Sequence, residues 1–133
     1  MLGIVAVGSL LALSGCAMST ADFAVFDREP HANDAVPTEL PSDSWERADP
    51  STARFIADHD QTRIWLMRGV DGADICLLVY PDDGDWVIGC GGAALTVGGD
   101  SDAFTVVPDG TAMPDGVTVI SDNLYTAAAD TRR

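Results

Sequence analysis

Cys76 and Cys90 occupy matching positions in two strand-like runs that flank a turn signal. The runs cover residues 75–80 and 86–90, and the segment 81–85 between them, Pro-Asp-Asp-Gly-Asp, consists of turn formers. Folding the chain as a hairpin about position 83 sets the two cysteines opposite each other. In a non-hydrogen-bonded antiparallel pair the alpha carbons lie about 4.5 Å apart, within the reach of a disulfide. The pattern predicts a cross-strand disulfide.

The same register sets Tyr80 opposite Trp86 and Leu78 opposite Ile88. Closing a loop of about fifteen residues would stabilise the fold by roughly 3 kcal/mol in the chain-entropy model. A zinc site and a redox-active pair are the alternatives. Both fit less well, because zinc usually takes closely spaced ligand pairs with further Cys or His partners, and redox centres use C-x-x-C.

Short strand-like runs alternate with turn formers from residue 51 onward, which is typical of a small all-β domain. Turn signals include Asp71-Gly72, Gly98-Gly99-Asp100 and two Pro-Asp-Gly sequences. We predict strands near residues 54–58, 63–68, 75–80, 85–90, 94–97, 103–107, 116–120 and 124–126. Because no window there has a sustained helical period, we predict an all-β, antiparallel meander that closes into a small barrel or sandwich.

The amino-terminal stretch has the form of an export signal. Residues 1–21 carry no charged side chain, and residues 4–13 have the length and apolarity of a signal-peptide h-region. The run ends in Leu13-Ser14-Gly15-Cys16. These four residues resemble the lipobox of bacterial lipoproteins. The resemblance implies that the signal peptide 1–15 is removed and that the thiol of Cys16 carries a diacylglyceryl group.

Two features of this stretch bear on that resemblance. The n-region Met1-Leu2-Gly3 lacks a basic residue, so either the start codon lies upstream, which we favour, or export is inefficient. An uncleaved transmembrane span is the alternative, since the uncharged run is about twenty residues long. Small and polar residues crowd its second half, which favours the lipoprotein. Either reading places the chain on the extracytoplasmic face of a membrane, and two or three acyl chains would anchor it stably.

The charge balance limits the partners. The chain has 21 acidic residues against 7 basic ones, contains no lysine and has a net charge of −14. A phosphate backbone requires a basic surface, so we expect no nucleic-acid partner. A habitat or genome that favours Asp and Arg would produce the same composition without any functional demand.

The residues between the anchor and the predicted strands favour an extended chain. Residues 16–50 are acidic and contain several prolines, so we predict a lipidated tether, with a short helix near residues 31–35. Phe23, Phe26 and Trp45 are unusual in a linker, and we expect them to dock on the domain. The predicted β domain then spans residues 51–128, with a tail at 129–133.

Two sequence patterns suggest ligand sites, and both have simpler explanations. Residues 89–94, Gly-Cys-Gly-Gly-Ala-Ala, match G-x-G-x-x-A, but a dinucleotide site needs a helix to follow, whereas strand and turn follow here. We expect these glycines to permit a bulge or a close backbone approach. Aspartates cluster at 58–60, 82–85 and 100–102, but none has the EF-hand spacing, and we expect turn chemistry with no metal site.

Catalytic signals are weak. His31 and His59 are the only histidines, and no G-x-S-x-G sequence is present. Trp65, Trp86 and Tyr80 are candidates for an aromatic platform that binds a sugar or peptide. We favour packing instead, because Tyr80 opposite Trp86 is equally a cross-strand pair that stabilises the hairpin.

We therefore expect a non-catalytic, lipid-anchored binding or accessory module without a cofactor. Its expected partners are the membrane, through the anchor, and a protein or glycan of the cell envelope. The alternatives are a small hydrolase that uses carboxylates as acid and base, and a weak cation-binding surface protein.

Overall fold

The chain forms two four-stranded antiparallel sheets in a computed structural model that describes residues 23–72, 74–98 and 102–128. The first sheet has the order β1-β2-β3-β4 and the second has the order β5-β6-β8-β7. The strands are β1 (Ala48–His59), β2 (Thr62–Gly69), β3 (Ile75–Pro81), β4 (Val87–Gly91), β5 (Leu95–Gly98), β6 (Asp102–Val106), β7 (Thr118–Ser121) and β8 (Leu124–Ala128). The all-β, antiparallel prediction is confirmed, and each predicted strand has a counterpart. The predicted meander holds for the first sheet only, because β8 lies between β6 and β7 in the second, and the described strands form two separate sheets instead of one closed barrel.

The two sheets share one apolar core. Alternation along each strand directs every second side chain of the first sheet towards the second sheet. The shared cluster takes Ile64, Leu66 and Leu77 from the first sheet and Phe104, Val106 and Leu124 from the second, together with Phe23, Ala57, Ile75, Val79 and Val97. The edge strands are β1 and β4 in the first sheet and β5 and β7 in the second.

The opposite face of the first sheet, the outer face, carries a second apolar cluster. Trp65, Met67, Cys76 and Leu78 are buried there, although no second sheet covers them. Their cover comes from the residues that precede β1. Leu40, Val36 and Trp45 pack against this cluster, and the Trp65 indole donates a hydrogen bond to the Asn33 carbonyl at 3.3 Å.

Residues 23–47 therefore differ from the extended tether that composition predicts. They contain three short 3-10 helices, Ala24–Phe26, Ala32–Asp34 and Ser42–Trp45. Phe23 is 5% exposed and Leu40 is 8% exposed. The aromatic residues behave as expected for docking, since Phe23 joins the shared core and Phe26 and Trp45 are half-buried against the sheets. The packed unit thus includes the described residues from Phe23 onward, well before the predicted boundary at residue 51.

β1 is longer than predicted and irregular. It begins at Ala48, and its pairing with β2 shifts register between Asp49 and Arg54 and again between Phe55 and Ala57. Such bulges bend a strand and interrupt the two-residue alternation from which a sequence-based boundary is drawn.

Candidate functional site

The predicted disulfide is present. Cys76 pairs with Cys90 across β3 and β4, their alpha carbons lie 4.1 Å apart, and the two sulfurs are bonded. Leu78 pairs with Ile88 as the register predicts. The ladder ends one pair before Tyr80 and Trp86. Cys76 is fully buried and Cys90 is half-buried on the outer face.

The other sequence-predicted site residue, Cys16, lies outside the described residues. So do Asp100 and Ser101 of the third aspartate cluster. In the ranges that the structure covers, no helix is long and apolar enough to cross a membrane.

The glycines beside Cys90 serve close packing, as expected. A Cβ atom at Gly89 would lie 2.5 Å from a methyl carbon of Val97 in β5. Gly89 pairs with Leu77 in the first sheet, and Val97 belongs to the shared core. The missing side chain thus lets β4 and β5 approach each other where the chain passes from one sheet to the next.

Two of the predicted aspartate clusters come together. The β1–β2 turn, with Asp60 and Gln61 at positive φ, and the β3–β4 turn lie at the same end of the first sheet, because Thr62 pairs with Pro81. The Asp82 amide donates a hydrogen bond to the Gln61 carbonyl at 3.0 Å and ties the turns together. They enclose a cleft of about 240 Å³, here called the acidic cleft, lined by Asp60, Gln61, Thr62, Val79, Pro81, Asp82, Asp83, Asp85, Val87 and Phe104.

The acidic cleft combines carboxylates with an apolar floor. Asp60, Asp82, Asp83 and Asp85 are exposed at its rim, and buried Val79 and Phe104 line its base. Charges of one sign around a concave surface reinforce one another's potential, so the cleft attracts cations. No group of three or more His, Cys, Asp or Glu side chains within the described ranges is arranged to hold a metal ion.

His59 lies beside this cleft. Its Nε2 atom is 3.3 Å from a carboxylate oxygen of Asp60, and its ring meets the Phe104 ring edge-on at a centroid distance of 6.3 Å. The other histidine, His31, lies on residues that cover the outer face, where its backbone amide donates to Asp34 at 2.6 Å. The two histidines therefore lie in different parts of the fold, His59 beside the acidic cleft and His31 in the segment that covers the outer face.

The three aromatic side chains weighed as a platform mainly pack within the fold, as favoured from the sequence. Trp65 is 2% exposed, so it packs in the outer-face cluster and presents no open ring. Tyr80 and Trp86 are half-buried on the same face. The Arg63 guanidinium carbon lies 5.3 Å from the Trp65 ring centroid and 5.2 Å from that of Tyr80. Packing and cation–π contact therefore account for two of the three rings.

Asp34, a carboxylate that accepts four hydrogen bonds, was not predicted from the sequence as a notable residue. Asp34, 4% exposed, accepts hydrogen bonds from both terminal nitrogens of Arg28 at 2.7 and 2.8 Å. It also accepts from the amides of His31 and Phe55. The Arg28 hydrogen bonds, opposed in part by burial and helped by both amides, hold the pKa of the Asp34 carboxyl far below its usual value.

The Asp34 contacts fasten the amino-terminal segment to β1, since the Phe55 amide belongs to that strand. Arg54 adds a second link, because its guanidinium donates to the Arg28 carbonyl at 3.1 Å. This network is structural in character. The only sequence signal for it would have been the short helix predicted near residues 31–35, which the structure forms as the 3-10 helix Ala32–Asp34.

Comparison with protein-family models, with curated proteins and with solved structures finds no match to this chain.

Proposed function

We propose that this chain is a lipoprotein of the bacterial cell envelope and that its disulfide-bridged β unit is a non-catalytic binding or accessory module. The lipobox-like sequence Leu13-Ser14-Gly15-Cys16 carries the proposal, because it stands directly after an apolar run of h-region length. Acylation at Cys16 would fix the protein to the extracytoplasmic face of the membrane.

The disulfide supports this compartment. Cys76 and Cys90 are bonded to each other, and disulfides persist mainly in oxidising environments outside the cytoplasm. The bridge lies within a hairpin of the first sheet, where it holds two strands of the fold together. A structural role of this kind suits a small unit exposed on a cell surface.

The arrangement of the sheets supports a binding module. Two sheets that face each other across one core form a sandwich-like frame, and such frames hold their connecting loops in fixed positions. Here two turns of the first sheet enclose the acidic cleft, in which carboxylates surround an apolar floor. A basic group on an envelope protein or glycan would find both charge and apolar contact there.

The anchor is tested by intact mass and membrane partition. Membrane-extracted protein should have the mass of residues 16–133 plus acyl groups, and reductant should add two hydrogens for the disulfide. Cys16→Ser should remain unprocessed and lose the acyl mass. Cys76→Ser/Cys90→Ser is the matched control, since it should keep the acyl mass. Wild-type protein of full-length mass with free thiols would overturn the proposal.

The binding role is tested by site-specific crosslinking in intact cells. A photo-crosslinking residue at Asp82 or Asp85, on the rim of the acidic cleft, should capture one reproducible partner. The same residue at Val70, which is 64% exposed on the β2–β3 turn, is the control. The same pattern of products from both places, or no product from either, would contradict a partner at the cleft.

The acidic cleft also supports a second candidate, a carboxylate-dependent hydrolase, because it brings four aspartates into one concave surface. The decisive comparison is glycan hydrolysis by the wild type and by Asp82→Asn/Asp85→Asn. Turnover that disappears in the folded variant would favour the enzyme. A wild type without turnover removes that candidate.

A further inference from the structure

The last strand of the second sheet ends beside the acidic cleft. β4 leads away from the cleft, since Val87 at its start lines the cleft. β5 then returns along β4. A Cβ atom at Gly91 would lie 3.2 Å from a methyl carbon of Leu95, at the start of β5. Gly89, closer to the cleft, lies against Val97 in the same way, so β5 runs towards the cleft.

Strand pairing carries this direction to β8. Gly98, the last residue of β5, pairs with Ala103 near the start of β6. Phe104, at the base of the cleft, pairs with Thr126 of β8, two positions before Ala128. Paired strands lie about 4.8 Å apart and rise about 3.4 Å per residue, so the alpha carbon of Ala128 lies roughly 8 Å from that of Phe104. The chain therefore leaves β8 at the cleft.

The residues that follow β8 carry positive charge. Residues 129–133, here called the tail, read Ala-Asp-Thr-Arg-Arg and lie outside the described residues. They hold two of the chain's seven basic residues and one aspartate. The other arginines all have partners in the described part of the chain. Arg28 and Arg47 pair with carboxylates, Arg54 donates to backbone carbonyls, and Arg63 and Arg68 lie over aromatic rings.

The tail can place its arginines in the cleft. The four residue steps from Ala128 to Arg132 extend at most about 14 Å, which exceeds the roughly 8 Å to Phe104. A connection this short keeps the guanidinium groups at an effective concentration of about 1 mM or more beside the cleft. At that concentration, an ionic contact too weak to hold two separate molecules together forms within one chain.

The cleft provides what a guanidinium group requires. Asp82, Asp83 and Asp85 are exposed at its rim and, within the described ranges, make no ion pair with an arginine. The methylene stem of an arginine packs on apolar surface while its head donates hydrogen bonds to carboxylates. Val79 and Phe104 supply that apolar surface at the base. An arginine there also relieves the mutual repulsion of the rim carboxylates.

We propose that Arg132 and Arg133 occupy the acidic cleft of their own chain, and that a basic partner reaches the cleft by displacing them. The tail then competes with the partner for the same carboxylates and lowers the affinity of the cleft. The effect on a partner rests on the binding role proposed above, whereas the contact within the chain does not require it.

Photo-crosslinking within the full chain tests the contact. A photo-crosslinking residue at Thr131 should give an intrachain product with the residues of the cleft, located by peptide mass spectrometry. Asp82→Asn/Asp85→Asn should reduce the yield several-fold. Asp43→Asn/Glu46→Gln is the matched control, because it removes two exposed carboxylates that do not line the cleft, and it should leave the yield unchanged.

The dependence on charge separates binding from mere proximity. Arg132→Gln/Arg133→Gln should lower the yield of the same product as much as the cleft substitutions do. A yield that neither the cleft substitutions nor the tail substitutions change would overturn the inference.

A labelled probe tests the competition. A fluorescently labelled Arg-Arg dipeptide amide should bind Arg132→Gln/Arg133→Gln several-fold more tightly than the wild type, as measured by fluorescence polarisation. Arg47→Gln/Arg68→Gln is the control for net charge, since it removes two exposed positive charges from the described unit, and its Kd should match that of the wild type. Equal affinity of the wild type and the tail variant would contradict the competition.

Two outcomes separate this inference from the proposed function. A charge-dependent product at Thr131, in a protein that captures no envelope partner at Asp82 or Asp85, would support the contact within the chain and remove the binding role. A captured partner together with a charge-independent yield at Thr131 would support the binding role and overturn the contact.

Discussion

The Asp34 side chain holds the segment that precedes β1 against the first sheet. It lies among acidic and proline-rich residues, a composition that favours solvated chain. Yet it is 4% exposed and accepts four hydrogen bonds, two of them from Arg28. One donor is the amide of Phe55, which is 21 positions further along the chain. A partner at that distance leaves no local pattern in the sequence.

Asp34→Asn should destabilise the fold by about 1 to 3 kcal/mol, because the buried side chain at position 34 loses its charge-assisted hydrogen bonds, while Arg28, a third of whose side chain is exposed, can hydrate. Urea unfolding of the whole chain measures the change. Asp43→Asn is the control, since Asp43 is exposed on the third 3-10 helix and should change the unfolding free energy little. Equal effects of the two substitutions would contradict the structural role of Asp34.

The same carboxylate gives stability a dependence on pH. Its pKa is lower in the folded chain than in the unfolded chain, so it stabilises the fold fully above the unfolded value of about 4. That contribution is lost as the pH falls from there towards the folded value. The stability difference between wild type and Asp34→Asn should therefore shrink below pH 4, as urea unfolding across the acid range would show. A difference that stays constant would argue against this coupling.

Gly89 is a second position where a single atom matters. Gly89→Ala should cost about 1 to 3 kcal/mol, because the added carbon would press on Val97, a short and stiff side chain in the core. Gly92→Ala is the matched control, since nothing lies within 4 Å of the atom it adds. Thermal unfolding compares them. Val97→Ala should lessen the penalty of Gly89→Ala, and strict additivity would contradict the clash.

At the scale of elements, the hairpin of β3 and β4 follows from local information. Alternation of side chains, a turn rich in Asp and Gly, and two cysteines at matching positions agree on one register. The structure has that register, including the bond between Cys76 and Cys90. Local signals also located the other strands, whereas the start of β1 was missed because its bulges interrupt the alternation.

Removing the bridge should cost about 3 kcal/mol, since the bonded cysteines are 14 residues apart and a loop of this size restricts the unfolded chain by about that amount. Cys76→Ala/Cys90→Ala measures this by urea unfolding. Reductant should lower the stability of the wild type and leave that of the variant unchanged. A wild type indifferent to complete reduction would contradict the prediction.

The acidic cleft could be predicted only in part. The sequence predicts turns at both aspartate clusters. The structure confirms this for Asp60, Asp82 and Asp83, whereas Asp58 lies in β1. The two clusters form one cleft because of the strand order. In a meander the first and third turns lie at the same end of the sheet, and these are the β1–β2 and β3–β4 turns here. Phe104, at the base of the cleft, comes from the other sheet, and no local signal connects it with those turns.

At the scale of the whole molecule, the residues before β1 complete the fold. They cover the outer face of the first sheet and add Phe23 to the core between the sheets. Composition alone misplaces them, because a few buried contacts outweigh the many polar residues around them. Each sheet would otherwise expose apolar surface to water.

Phe23→Ala should therefore destabilise the unit by about 3 kcal/mol, as expected for removing a buried aromatic ring. A residue in a free linker would have no such effect. Phe26→Ala is the matched comparison, because Phe26 is only half-buried and should cost less. The urea concentrations at the unfolding midpoints of the two variants give the comparison. A Phe23→Ala variant as stable as the wild type would indicate that this segment is a tether and not part of the packed unit.

Each sheet is made from one contiguous half of the chain, with β1 to β4 before position 92 and β5 to β8 after it. In the export that the proposed function requires, amino end first, every strand of the first sheet and both bonded cysteines emerge before the strands of the second sheet. Oxidation of the hairpin need not wait for the remainder. The later strands can then assemble on a finished template, which shortens the time during which bare strand edges are open to aggregation.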